Sequence, residues 1–175
     1  SGHVTGEKKT LHHRKVASSI IMGSKALYDF IDHNEMIEMY PVHHMNDPYV
    51  IGQNDRMVSI NSCLEIDLYG QVASEAIGLE QFSGTGGQVD YLRGAKRSRG
   101  GRSILAFTST AKGGTVSRIV PVLPPGATVT SGRNEVDYIA TEYGAVRLRG
   151  LTLRERALAL VSIAHPDFRL GLMAA

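Results

Sequence analysis

No run of about 18 apolar residues occurs anywhere in this chain, so no segment reads as a membrane-spanning helix. A single cysteine, Cys63, excludes an internal disulfide and suits a reducing compartment. The first nine residues, Ser1 to Lys9, have neither the apolar core of a secretory leader nor an Arg/Ser-rich amphipathic pattern, and a cytoplasmic setting is expected. Charge of one sign is also scarce: the net charge of +2 is too small to imply a nucleic-acid partner by itself. No internal repeat, heptad or low-complexity tract is present. Histidines occur in two adjacent pairs, His12-His13 and His43-His44. Neighbouring rings point apart on regular elements, and no carboxylate or cysteine stands at ligand spacing, so no metal is expected.

What the chain does have is an ordinary globular balance, 42% hydrophobic and 21% charged, in 175 residues, enough for one well-buried domain. It begins Ser1-Gly2-His3 rather than with methionine, and we expect part of a larger protein. Arg14 to Met22 reads as a strand. Ser24 is placed to cap a helix from Lys25 to His33 with Leu27, Phe30 and Ile31 facing inward. Met36 to Tyr40 reads as a short strand, and Asp47-Pro48 as the cap and first residue of a helix. Met57 to Val72 alternates and turns, suggesting two strands with a turn at Gly70. Strands are expected at Ser103–Thr108, Arg118–Leu123, Ala127–Thr130 and Val136–Ala140. A helix follows over Leu153–Ile163, with Leu153, Ala157, Leu160 and Val161 on one face, and His165-Pro166-Asp167 opens a last one. This mixture implies an α/β domain with a mixed, largely parallel sheet flanked by helices.

The densest glycine stretch is Ser83-Gly-Thr-Gly-Gly-Gln-Val-Asp-Tyr-Leu-Arg-Gly-Ala95. Gly84, Gly86 and Gly87 strip the backbone of side chains where a helix begins, with Val89 and Leu92 on one face. Unpaired N–H groups and the positive helix end then meet at one point, which suits phosphates, carboxylates and oxyanions. The plain alternative is a tight turn in which glycine only supplies positive φ. Lys112, in Thr110-Ala-Lys-Gly-Gly-Thr115, is a second anion-suited position, or else a solvated lysine. Arg93, Lys96, Arg97, Arg99 and Arg102 cluster around a helix end. Their uses are a solvated cap, a basic nucleic-acid module, or, as we prefer, contact with an anionic cofactor. Cys63 reads as a small buried residue, and Glu65, Asp67 and Glu142 as carboxylates that sequence alone does not promote to a role.

Taken in order, several segments resemble one family. They are Asn46-Asp-Pro-Tyr-Val50, Asn61–Gln71, Gly84–Ala95, Ser117-Arg-Ile-Val-Pro121, Thr141-Glu-Tyr-Gly144, Leu148-Arg-Gly150, Leu153–Ala157 and Ile163–Arg169. The resemblance is to the C-terminal domain of the acetyl-CoA hydrolase/transferase family, a NagB/RpiA-like coenzyme A-transferase fold. It implies transfer of coenzyme A between an acyl-CoA, such as 4-hydroxybutyryl-CoA or butyryl-CoA, and a carboxylate such as acetate. It further implies a glutamyl-CoA thioester formed on the enzyme. Acyl-CoA hydrolysis on the same scaffold is the alternative. The family's nucleophilic glutamate lies in a His-Ser/Thr-Glu-Met segment that does not occur here. By family order it is expected upstream of Ser1, so no catalytic residue is assigned in this chain. The N-terminal domain is expected to be a missing partner, the assembly a homo-oligomer, and the isolated chain inactive. What the resemblance carries over is the coenzyme A side: Gly84, Gly86 and Gly87 for close main-chain approach, Gln88 as an amide donor at the reacting centre, Lys112 near phosphates or pantetheine, and Leu64 as a further cofactor contact.

Overall fold

Along the strand Arg102–Ala106, Ser103 and Leu105 are buried while Arg102 is exposed, the alternation of a half-covered strand. The computed structural model describes residues 4–175, so the reading of Ser1-Gly2-His3 lies outside the described residues. Arg102–Ala106 sits inside a four-stranded sheet ordered Gly144–Arg147, Tyr138–Thr141, Arg102–Ala106, Val58–Asn61. The first pair is an antiparallel hairpin; the other two pairings are parallel. A second sheet places Glu65–Asp67 between Ile119–Val120, in parallel, and Val72–Ala73, antiparallel. The expected turn at Gly70 joins the last two, and its φ of +87° is one that glycine adopts without strain. The mixed α/β expectation therefore holds.

Helices Gln88–Arg97 and Leu153–Ser162 close the core with Leu92 and Leu160, packed with Ile66, Leu105, Ile119, Ile139 and Leu148, all essentially inaccessible. The second helix opens on a reciprocal capping box: Thr152 Oγ1 accepts from Glu155 N–H, and Glu155 accepts from Thr152 N–H. Against the first helix lies the short Pro48–Gly52 helix, whose cap Asp47 accepts from Tyr49 N–H at 2.7 Å, as the Asp-Pro pair implied. The two backbones approach at Gly94, where a Cβ would stand 2.4 Å from Ile51 Cγ2.

Four expectations change. The helix after Ser24 ends at Ile31, Ser24 makes no side-chain cap bond, and none of Leu27, Phe30 and Ile31 is buried; Phe30 is 58% exposed. Leu153 is likewise exposed. Ala127–Thr130 is loop rather than strand, and the Arg118–Leu123 strand shrinks to Ile119–Val120. Periodicity marks an apolar face but does not provide the surface that covers it. Ile20, Met22, Phe30, Val42 and, on one face of the four-stranded sheet, Val58 and Ile60 all remain open to solvent.

Candidate functional site

The helix Gln88–Arg97 begins directly after Gly87, which stands as its N-cap without any side-chain cap bond. The N–H groups of Gly84, Thr85, Gly86 and Gly87 donate to no main-chain acceptor among the described residues. Gly86 has φ +57°, so the chain reverses there without side-chain strain. A Cβ built on Gly84 or Gly86 would meet nothing within 4 Å, whereas one on Gly87 would press on the Asn46 amide at 2.4 Å. Glycine at 84 is thus not demanded by this chain's own packing. The loop presents free donors and bare main chain at the positive end of a helix, an arrangement that binds anions and stabilises oxyanions.

Gln88 follows immediately but is buried, and its amide Nε2 donates to Ser131 Oγ at 3.0 Å, into the chain. Lys112 is exposed and has φ +48°, followed by Gly113 at +66° and Gly114 at +92°. A non-glycine side chain held in left-handed conformation is a strained feature of the sort that functional loops carry. Glu142 ties down the root of this loop: Ser109 N–H and Oγ–H donate to its two oxygens at 2.8 and 2.6 Å. Leu64 is half-buried, its N–H donating to Ala73 O at 2.9 Å. Its carbonyl accepts from Arg118 Nε at 2.9 Å, and the same guanidinium donates to Cys63 O and to Thr108 Oγ1 at 3.1 Å. Arg118 therefore joins the Leu64 strand to the root of the Lys112 loop, its charge 5.1 Å from the Phe107 ring centre. Sequence reasoning assigned no role to Arg118 or Asn46, although both stand inside motifs it quoted. Close packing places Gly87 beside Asn46, and hydrogen bonds place Gln88 beside Ser131 and Leu64 beside Arg118; among the described residues none runs from the glycine loop to Lys112.

Cys63 is buried as expected, and burial pushes its thiol up to about 12, which makes it a poor nucleophile. Asp67 is a turn-former, accepting from the N–H groups of Tyr69 and Gln71 at 3.1 and 2.8 Å. Burial would raise Glu142, but the Ser109 hydrogen bonds and nearby His165 hold it below its ordinary value. Burial raises the Glu65 carboxyl, with Arg118 opposing, and its Oε2 has no hydrogen-bond partner among the described residues. A raised carboxyl means that the folded state holds its proton longer than the unfolded chain. Stability from this group is accordingly full at low pH and falls as pH rises from the ordinary value of 4.5 through the raised one. Glu65→Gln should flatten that fall and leave the urea midpoint at neutral pH at or above that of the parent. A lower midpoint for the variant at neutral pH would show that the ionised carboxylate stabilises the fold.

Of the basic cluster, Arg93 sits in mid-helix, Lys96 and Arg97 in the last turn, Arg99 just beyond the helix and Arg102 at the start of the next strand. Arg93 pairs with Glu135 at 3.2 Å, Arg99 pairs with Asp55, Lys96 donates to Asn134 O, and Arg97 lies over Tyr49. Lys96 and Arg97 stand in the helix's last turn, where cations offset the dipole. One ring of each histidine pair meets the other, His12 Nε2 lying 3.2 Å from His44 Nε2, and His12 Nδ1 stands 3.5 Å from Glu38, which accepts from Tyr40 Oη–H. Among the described residues no three His, Cys, Asp or Glu side chains converge on a point that could hold a metal.

Residues 23–175 match the family model described as the acetyl-CoA hydrolase/transferase C-terminal domain. The chain is 57% identical over 173 residues to the 4-hydroxybutyrate coenzyme A transferase of Clostridium kluyveri, covering 99% of this chain and 40% of that protein. It is 52% identical over 169 residues to the succinyl-CoA:cyclohexane-1-carboxylate CoA transferase of Geobacter metallireducens, 97% of this chain and 39% of the relative. Among solved structures, RipA from Yersinia pestis superposes with a TM-score of 0.92 at 46% identity, over 99% of this chain and 39% of that one. A 4-hydroxybutyrate CoA-transferase from Porphyromonas gingivalis gives 0.83 at 60% identity, over 97% and 39%. The chain spans about 40% of the length of these relatives.

Proposed function

Because this chain belongs to the acetyl-CoA hydrolase/transferase family as its C-terminal domain, we propose that it forms the coenzyme A-facing wall of an acyl-CoA:carboxylate CoA-transferase. The observation that carries the reading is the run Gly84–Gly87, whose N–H groups meet no main-chain acceptor among the described residues and which leaves open space where a Cβ on Gly84 or Gly86 would stand. The remaining polypeptide supplies an N-terminal domain and the nucleophilic glutamate. Its carboxylate attacks the acyl thioester, releasing coenzyme A as thiolate and leaving a mixed anhydride. The thiolate then attacks the glutamyl carbonyl, freeing the first carboxylate and leaving the glutamyl thioester, and an acceptor carboxylate reverses both steps. Each tetrahedral centre develops an oxyanion, and the N–H groups of the loop are the donors for it. Leu64 and Lys112 flank the substrate, Lys112 as a point charge toward its phosphates or pantetheine arm, while Gln88, its amide turned to Ser131, anchors the end of the loop.

Substrates of the size of butyryl-CoA, 4-hydroxybutyryl-CoA and acetate, a cytoplasmic setting and a homo-oligomeric assembly are parts of the same proposal. Steady-state kinetics on the full-length protein test it. Parallel double-reciprocal lines and movement of coenzyme A onto added acetate are expected. Turnover without an acceptor would make the protein a hydrolase. The chain Ser1–Ala175 alone should show no acyl-CoA consumption.

A further inference from the structure

Beneath the glycine loop lies a buried carboxylate to which the proposed chemistry gives no part. Glu75 is only 4% exposed. Its Oε2 accepts from Gln81 Nε2 and its Oε1 from Thr130 Oγ1, both at 3.2 Å. The same Gln81 amide donates to Ser83 O, and the main-chain oxygen of Glu75 accepts from Phe82 and Ser83 N–H at 2.7 and 3.2 Å. Ser83, the residue where the loop departs, is therefore held from both its N–H and its carbonyl by groups that Glu75 orders. At the other end of the loop, Gln88 donates to Ser131 Oγ. Thr130 and Ser131 are themselves fixed: Thr130 Oγ1 accepts from Ser74 N–H at 3.0 Å, and Ser131 exchanges main-chain bonds with Val72 at 3.0 and 3.1 Å. Both ends of an otherwise unsupported loop thus converge on one pair of neighbouring residues.

We propose that Glu75, Thr130 and Ser131 are positioning residues that fix the distance between Ser83 and Gln88, and so aim the N–H groups of Gly84–Gly87. The proposal rests on the reading of that loop as the oxyanion-binding wall. Donors aimed in advance act without reorganisation, and small misplacements are strongly felt in the rate. The carboxylate suits the task because it accepts from two donors at once. Glutamine at 75 keeps one acceptor oxygen instead of two, so it cannot accept from both the Gln81 amide and the Thr130 hydroxyl, and valine at 130 offers neither the donor to Glu75 nor the acceptor to Ser74.

The test uses the full-length protein with Glu75→Gln, Thr130→Val, Thr130→Ser and, as reference, Gly84→Val. Glu75→Gln and Thr130→Val should each lower kcat by about tenfold or more with KM for acyl-CoA within about threefold. Thr130→Ser, which keeps the hydroxyl, should restore kcat. Hydrogen exchange at Ser83–Gln88 should quicken in the two impaired variants, while that at Leu92 and Leu105 stays as in the parent. Unchanged kcat in Glu75→Gln and Thr130→Val overturns the positioning role if Gly84→Val abolishes transfer. If Gly84→Val leaves transfer intact, the reading of the loop itself fails. Loss of kcat with exchange quickened throughout the chain, or unrestored by Thr130→Ser, also overturns the inference, since that is general destabilisation.

Discussion

Gly84→Val in the full-length protein should lower coenzyme A transfer by about 100-fold or more while leaving the fold intact. Gly84 has open space where a Cβ would stand and lies outside the left-handed φ region, so valine neither clashes nor strains the backbone. A substitution on such an exposed site changes stability by no more than about 0.5 kcal/mol, or roughly 1–2 °C in Tm. The same isopropyl group fills the volume through which a substrate carbonyl would reach the loop's N–H groups, and misplacement by about 1 Å costs on the order of 100-fold. Thermal unfolding and transfer kinetics on one preparation separate the two effects. Full activity with unchanged Tm would mean that nothing reacts against this face of the loop.

The second large effect is on stability. Arg118→Met should destabilise the chain by about 1–3 kcal/mol, the range for leaving carbonyl acceptors without their donor. In a domain of this size that is roughly 2–12 °C in Tm. The guanidinium donates to Leu64 O, Cys63 O and Thr108 Oγ1, joining segments 44 and more residues apart in the chain. Methionine keeps much of the stem packing against Phe107 but supplies no donor, so two carbonyls and a hydroxyl lose their partner. Arg118→Lys should recover only part of the loss, since a point charge cannot reach three acceptors as a planar fork does. A midpoint shift in urea worth less than about 1 kcal/mol for the methionine variant would show that Arg118 is peripheral to the fold.

How much of this was legible beforehand differs by element. The helix after Gly87, the turn at Gly70 and the Asp47-Pro48 helix start follow from local chemistry: glycine where φ turns positive or a cap needs no Cβ, an aspartate oxygen within reach of an N–H two residues on. The family was legible too, because several motifs keep their order along the chain. The Lys25–Ile31 helix was read with the right element and the wrong environment. Its apolar side chains are real, but what lies over them is not encoded in their spacing. Similarly, the ion pairs of Arg93 with Glu135 and of Arg99 with Asp55, partners distant in sequence, could not be read from the cluster's spacing.

The sequence by itself determined the turn at Gly70, the helix starts after Gly87 and Asp47, and which family the segments compose, since each depends on neighbouring residues or on motif order. Tertiary structure alone decided that Arg118 ties the Leu64 strand to the Lys112 loop, that His12 meets His44, and that Thr130 and Ser131 hold both ends of the glycine loop. Hydrogen bonds between residues 32 to 55 positions apart leave no local signature. Any arginine or threonine can make them, and only the folded path brings the partner within 3 Å.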